Sequence, residues 1–336
     1  VQRCRVLEPL MPRALLRLLR VAAAVLLLAW TAGVVAQSYP SRPLRLVVPF
    51  TPAGATDVLA RIVGEELGRR LGQPVVIENR PGAGGNLGAQ LVAKAAPDGY
   101  TLLMAPVSIY AIAMTLYREP GFDVARDFAP VSLVANVPHV LVAHPSVPAR
   151  DLAQLIAQAR ASPDALSIAS QGTGTVSHLE AQMLQERAGV RLVHVPYKGS
   201  APALTDVLGG RVPLMFDSIA SALPYIKAGK VNAVAVTGDR RASLLPGVPT
   251  MIEAGLPGYR AESWLGVVVP ARTPAPIVER LQREVAGLLG DAKVRQTLVE
   301  RGFEPQSSTP AQFTERLRSE LAAWAQVVKA AGVTVE

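Results

Sequence analysis

From residue 44 onward, short apolar runs of strand length take turns with stripes of apolar residues at helical spacing. Leu44-Arg45-Leu46-Val47-Val48 is a run of the first kind. After a loop over 49–56, the apolar residues Val58, Leu59, Ile62, Val63 and Leu67 line one face of a helix over 57–71, which Gly72 stops. A second strand is predicted at 74–78, a glycine-rich loop at 79–88, a helix at 89–95 and a third strand at 100–104. The same strand–loop–helix units resume near Leu141, with strands at 166–169, 193–195, 212–217 and 233–237 and helices at 178–187 and 202–208. Thr250-Met251-Ile252-Glu253 has capping-box spacing, in which hydroxyl and carboxylate each take a free backbone N–H. The end of the chain predicts amphipathic helices over 277–289, 293–300 and 310–331. In the last, Phe313, Leu317, Leu321, Trp324 and Val328 form one stripe that predicts core packing, with Thr309 as cap, Pro310 in the first turn and Gly332 as stop. Strands alternating with helices predict an α/β protein with mostly parallel sheets.

The first 36 residues follow a different rule. Arg13, Arg17 and Arg20 precede an apolar run of ten at 21–30, and Val34-Val35-Ala36 suits a signal peptidase, so 1–36 is expected to be a cleaved signal peptide. The run is shorter than the roughly 20 residues that span a bilayer. Met11 is an alternative start. The single cysteine, Cys4, lies upstream of the expected cleavage, so the mature chain carries no disulfide, thiol nucleophile or thiolate metal site. Residues 1–36 also hold five arginines and one glutamate, which reduces the net charge of +8 to about +4 for the remainder. Basic residues are scattered and aromatics are few, which argues against nucleic acid as a partner.

Three segments place a loop of small residues between a strand and a helix: 49–57 (PFTPAGATD), 81–88 (PGAGGNLG) and 171–177 (QGTGTVS). A helix start leaves N–H groups unpaired and carries partial positive charge, so each loop is able to hold an anion without a charged side chain. The plain alternative for each is a tight turn. Gly82, Gly84 and Gly88 also invite a dinucleotide reading. That reading wants an acidic residue ending the next strand, where Met104-Ala105-Pro106 stands instead, so a dinucleotide-binding enzyme is disfavoured and no cofactor is expected. No nucleophile elbow, P-loop or HExxH motif occurs, and His139, His144, His178 and His194 have no metal-site spacing. His178 is expected to be packed or capping. Asp57 either complements a helix dipole or orders the first loop, and Asp217 either faces a cleft or caps the next segment.

At these loops the chain resembles the Bug-type receptors, the substrate-binding proteins of tripartite tricarboxylate transporters. The matching segments include FTPAGATDVLAR at 50–61, VIENRPGAGGNLG at 76–88, AAPDGYTLL at 95–103, VPYKGSAPA at 195–203, GVPTMIEAGLPG at 247–258 and WLGVVVPARTP at 264–274. They keep the family's order over essentially all of the chain beyond residue 36. The resemblance implies an α/β, periplasmic-binding-protein-like (type II) fold. Each of its two lobes is a mixed sheet flanked by helices, and two hinge strands join them, with lobe 1 at 39–140 plus 264–336 and lobe 2 at 141–263. It implies a periplasmic, monomeric receptor without catalytic activity that captures a small organic carboxylate and passes it to membrane transporter subunits. Service as a ligand-sensing subunit on a signalling receptor is the alternative. Carried onto this chain, the expected ligand-binding residues of the first loop are Phe50, Thr51, Pro52, Ala53, Gly54, Ala55, Thr56 and Asp57. Ser108 is expected as a wall, and Thr173, Gly174, Thr175, Ser177, Gly199, Ser200, Ala201 and Asp217 come from the second lobe. One departure stands out: the family usually has paired glycines in the first loop, whereas here Ala53 precedes a single Gly54, and alanine takes a positive φ only at a cost.

Overall fold

Among the described residues, eleven strands form two sheets with helices between them. The structure is a computed structural model and describes residues 39–330. The expected signal peptide and Cys4 lie outside the described residues. Residues 42–336 form one compact unit, and it is this unit whose elements follow. The strands are β1 (Leu44–Val48), β2 (Val75–Asn79), β3 (Thr101–Pro106), β4 (Phe128–Val137), β5 (His139–Ala143), β6 (Ser167–Ser170), β7 (Val193–Pro196), β8 (Leu214–Ser218), β9 (Asn232–Val236), β10 (Ser263–Pro270) and β11 (Glu304–Pro305). The main helices are α1 (Ala55–Leu71), α2 (Asn86–Ala93), α3 (Leu152–Ala161), α4 (Val176–Ala188), α5 (Ser200–Leu208), α6 (Ile219–Lys227), α7 (Ala275–Gly290), α8 (Ala292–Glu300) and α9 (Pro310–Ala330).

The first sheet has the order β11-β4-β10-β3-β1-β2 and the second β7-β6-β8-β5-β9. Their topologies correspond. In each, the first strand of a βαβαβ run is flanked by the other two in parallel: β2-β1-β3 in one sheet and β7-β6-β8 in the other. In each, a strand from elsewhere in the chain then pairs antiparallel with the third: β10 on β3, and β5 on β8. All eight residues of β10 and all five of β5 are buried, as central strands covered on both faces must be. The fold is therefore α/β with two mixed sheets flanked by helices, as the resemblance implied, and not the mostly parallel sheets that alternation alone predicted, because β4, β5, β9, β10 and β11 pair antiparallel.

The chain crosses between the sheets twice, at Pro138 and again where Ala261 and Glu262 lead into β10. The two crossings are tied together. Thr237 N–H donates to the His139 carbonyl, and the Thr237 hydroxyl and the Ala261 carbonyl form a 3.0 Å bond.

Apolar periodicity places the core where the stripes predict it. Phe313, Leu317, Trp324 and Val328 of α9 are buried in the first sheet's core, and Leu321 packs against it partly exposed. The Phe313 ring stands edge-on to Tyr110 and Trp264, which stack on each other at 5.8 Å. Thr309 caps α9 through a reciprocal pair with Gln312. Thr250 and Glu253 form the expected reciprocal pair, but around a single turn without a following helix. Strands β4, β5, β10 and β11, helices α3 and α6 and the π-helical turn Ser108–Ile112 are additions to the predicted elements, and α1, α2, α4 and α5 each begin two or three residues earlier than the apolar stripe suggests.

Candidate functional site

Parallel strands deliver their carboxyl ends, and the loops that follow them, to one edge of a sheet, where α/β proteins characteristically place ligands. In the first sheet β1 leads through residues 49–54 into α1. Ala53 takes the left-handed conformation, φ 67°. Asp57, buried at 2% exposure, holds the loop in that shape. It accepts the Ala53 N–H at 2.9 Å, the Asn79 amide at 2.9 Å and the Arg61 guanidinium at 2.9 and 3.0 Å, while Asn79 also donates to the Phe50 carbonyl. Burial alone would raise the Asp57 carboxyl, but the Arg61, Ala53 and Asn79 hydrogen bonds outweigh it and hold the group below its usual value. Asp57 thus orders the loop, one of the two roles its position allowed.

In the second sheet β6 leads through 171–175 into α4, and β7 leads through 197–199 into α5. The loop before α4 is held by its own hydroxyls: Thr175 Oγ1 donates to the Gly172 carbonyl, and Ser177 Oγ accepts the Gln171 N–H. His178 Nδ1 accepts the Gly174 N–H at 3.2 Å, and its ring stacks on His194 at 4.1 Å. Burial and that neighbour push the His178 imidazole down to about 4, so at pH 7 it is neutral and packed, and it holds a loop N–H without capping α4. Asp217, fully buried at the end of β8, accepts from the Ser200 hydroxyl, the Gln171 amide and the Ser218 N–H. Burial raises its carboxyl, and those donors with the nearby His139 only partly offset that. Asp217 therefore stands behind the residues at the cleft and fixes the orientation of two of them.

The two sets of loops meet. A Cβ built on Gly54 would lie 3.5 Å from Ser200 Cβ, and one on Gly199 would collide with Thr51 Oγ1. With a φ of 145°, Gly199 also has a backbone that L side chains rarely adopt. Tyr117, which lies between β3 and β4, donates its hydroxyl to the Thr173 carbonyl in the loop before α4, 2.8 Å away. Between these contacts lies a cavity of about 30 Å3 lined by Phe50, Gly54, Ala55, Thr56, Gln171, Ser200 and, toward the crossings, His139, Ser218 and Ser263. A groove of about 360 Å3 shares Phe50 and Gln171 with it and runs between Gly82–Gly85 and Pro196–Lys198. Helices α1 and α5 both start at this cavity and neither has a side-chain cap, and α2 and α4 at the neighbouring loops lack one as well. Helices starting elsewhere are mostly capped, α3 by Asp151, α8 by Asp291 and α9 by Thr309. Two uncapped, partially positive helix ends facing one cavity repel each other, and an anion between them relieves that repulsion.

A second cavity of about 360 Å3 lies on the far side of the crossings, beside Pro138 and Glu262. Its charges pair with one another or with neighbours, Arg240 with Glu304, Arg241 with Glu253 and Arg260 with Asp239 and Glu262, so it offers little to recognise a ligand.

Comparison with known proteins shows the family. The family described as "Tripartite tricarboxylate transporter family receptor" matches residues 59–333. The chain belongs to this family. Receptors of the tripartite tricarboxylate transporter family are periplasmic solute-binding proteins and not enzymes. Protein BugT of Bordetella pertussis is 37% identical over 322 residues, covering 94% of this chain and 99% of that protein. The solved structure of R. palustris Rpa4515 with adipate has a TM-score of 0.86 at 40% identity, over 88% of this chain and 99% of that one. MatC from Rhodopseudomonas palustris with bound malate has a TM-score of 0.82 at 36% identity, over 86% and 100%.

Within this family receptor, five of the expected residues line the small cavity: Phe50, Gly54, Ala55, Thr56 and Ser200. Thr173 lines the adjoining groove, and Thr51 and Gly199 close against each other beside it. Pro52 and Ala53 point to solvent, and Ala201 is half-buried behind Ser200 in the first turn of α5. Asp57, Thr175, Ser177 and Asp217 spend their polar atoms on holding loops. Gly174 packs against Leu116 and Tyr117, and Ser108 is buried, its hydroxyl without a partner among the described residues, but does not line the cavity. The expectations omitted Gln171, His139, Ser218 and Ser263. Gln171 opens a loop already singled out and was within reach of sequence reading. His139 had no local signal, because only the pairing of β5 beside β8 brings it to the cleft.

Proposed function

We propose that this receptor captures a small organic acid anion in the cavity between its two lobes and delivers it to the membrane components of a tripartite tricarboxylate transporter. The observation that carries this reading is the convergence of the uncapped starts of α1 and α5 on one cavity across the lobe boundary. The free donors at the start of α5 are the N–H groups of Ser200 and Ala201, since Pro202 has none. Relatives solved with adipate and with malate support a carboxylate as the occupant. In the closed arrangement the cavity has room for about two water molecules. A carboxylic acid therefore enters only when lobe 1 (39–140 with 264–336) and lobe 2 (141–263) part about the crossings. Residues 1–36 serve as the export signal, and the receptor acts as a monomer.

The test is a thermal-shift screen of ligand-stripped protein against mono-, di- and tricarboxylates. An acid at about 100 times its Kd stabilises the fold by about 2.7 kcal/mol, which is about 5–10 °C for a chain of this size. A panel that produces no shift contradicts the carboxylate reading.

A further inference from the structure

His139 opens β5 immediately after the crossing at Pro138, and it lines the cavity. Its Nδ1 lies 2.8 Å from Oε2 of Glu180, which projects from α4 and is fully buried. The other oxygen of Glu180, Oε1, has no partner among the described residues. An ionised carboxylate only accepts, so Nδ1 carries the hydrogen of that bond. Nε2 is then the ring nitrogen left without a protein partner among the described residues, on a residue that lines the cavity. None of the residues lining this cavity is a lysine or an arginine.

The charged surroundings of His139 come from two elements. Glu180 reaches it from α4, and Asp217 stands on the neighbouring strand β8. Tyr259, whose hydroxyl donates to the Glu180 carbonyl, stays neutral because burial raises it well above its usual value. From the first lobe, the cavity residues Phe50, Gly54, Ala55, Thr56 and Val137 carry no charge. Burial on its own would strip the proton from His139, but the attraction and hydrogen bond of Glu180, helped by Asp217, overcome it and raise the imidazole above its usual 6.5.

We propose that His139 is a direct ligand contact: oriented by the buried Glu180 carboxylate, it donates Nε2–H to a carboxylate of the bound acid and makes capture proton-linked. This rests on the carboxylate reading above and adds a charged donor to a site otherwise built from backbone amides and hydroxyls. The sign follows from the direction of the shift. The cationic form, and with it the contact, is complete at acidic pH and is lost as pH rises through the His139 value, which lies above 6.5. A bound carboxylate favours the imidazolium further, so binding on the alkaline side takes up a proton. Were Nε2 instead an unprotonated acceptor for a ligand hydroxyl or ammonium, affinity would run the other way.

The experiment is titration calorimetry of the full chain with the panel acid that gives the largest thermal shift, from pH 6 to 9, in two buffers of different ionisation enthalpy. The expected result is a Kd that rises about ten- to hundredfold across the range, the worth of one charge-assisted hydrogen bond, with proton uptake over the pH interval in which affinity falls. His139→Gln, whose amide is still able to donate to Glu180, is expected to bind more weakly at pH 6 and to show a flat profile. Should that variant not fold, Glu180→Gln is expected to move the loss of affinity to lower pH. A flat profile in the unaltered receptor, or affinity that increases with pH, overturns the proposal and leaves the carboxylate reading standing. Failure of every panel acid to bind removes both.

Discussion

Ala53 holds a φ of 67° at the tip of the first ligand loop, where a residue with a Cβ pays for the left-handed conformation. The strain is tolerated because the Asp57 carboxylate, fixed by Arg61 and Asn79, takes the Ala53 N–H. Ala53→Gly is therefore expected to stabilise the receptor by about 0.5–1 kcal/mol in denaturant unfolding, with little change in affinity, because residue 53 points to solvent. His178 offers a second test at this scale. Its imidazole sits at about 4 in the fold against 6.5 when unfolded, so the unfolded chain binds the extra proton as pH falls below 6.5. Stability should decline by up to about 3 kcal/mol between pH 6.5 and 4, and His178→Gln should flatten that decline in pH-dependent melting. The strained alanine was legible as a departure in the sequence. The tasks of Thr175, Ser177 and Asp217 were not, because a hydroxyl or carboxylate near a helix start serves loop or ligand equally well until its partners are known.

The parallel strands and long helices were legible as elements, since apolar runs and 3.6-residue stripes mark them directly. Helix starts were less so: Ala55, Asn86, Val176 and Ser200 open their helices with small or polar residues that add nothing to a stripe. Strand β4 was missed for a related reason. Its sequence FAPVSLVANV contains a proline and does not alternate, because β10 and β11 flank it and helices cover it. Packing between elements is tight where α9 meets β10. A Cβ at Gly266 would collide with the Phe313 ring, which also sits edge-on to Tyr110 and Trp264. Gly266→Ala is expected to cost about 1–3 kcal/mol of stability by overpacking. Adding Phe313→Leu should recover part of the loss in a double-mutant cycle, and strictly additive effects would show that the two residues do not share that space.

At the scale of the whole 42–336 unit, function depends on two sheets that meet at loops and are joined by two short crossings. Two contacts tie these loops together, the Tyr117 to Thr173 bond and the seating of Gly199 on Thr51. Tyr117→Phe removes one of these bonds without altering the cavity. It is expected to shift the unliganded receptor toward an open state and to weaken binding about three- to tenfold, on the scale of one ordinary hydrogen bond. Small-angle scattering should then record a larger radius of gyration for the variant without ligand and the same radius once an acid is bound. Equal radii in both conditions would mean that this bond has no part in closure. The central claim is that an acid anion sits between the starts of α1 and α5, and a crystal structure of the receptor with the best-binding panel acid addresses it most directly. The account predicts carboxylate oxygens about 2.7–3.2 Å from backbone N–H groups within 54–57 and at Ser200 and Ala201, with the lobes closed around them. An acid found instead in the groove beside Lys198, or in the cavity behind Pro138, with those N–H groups untouched, would contradict it.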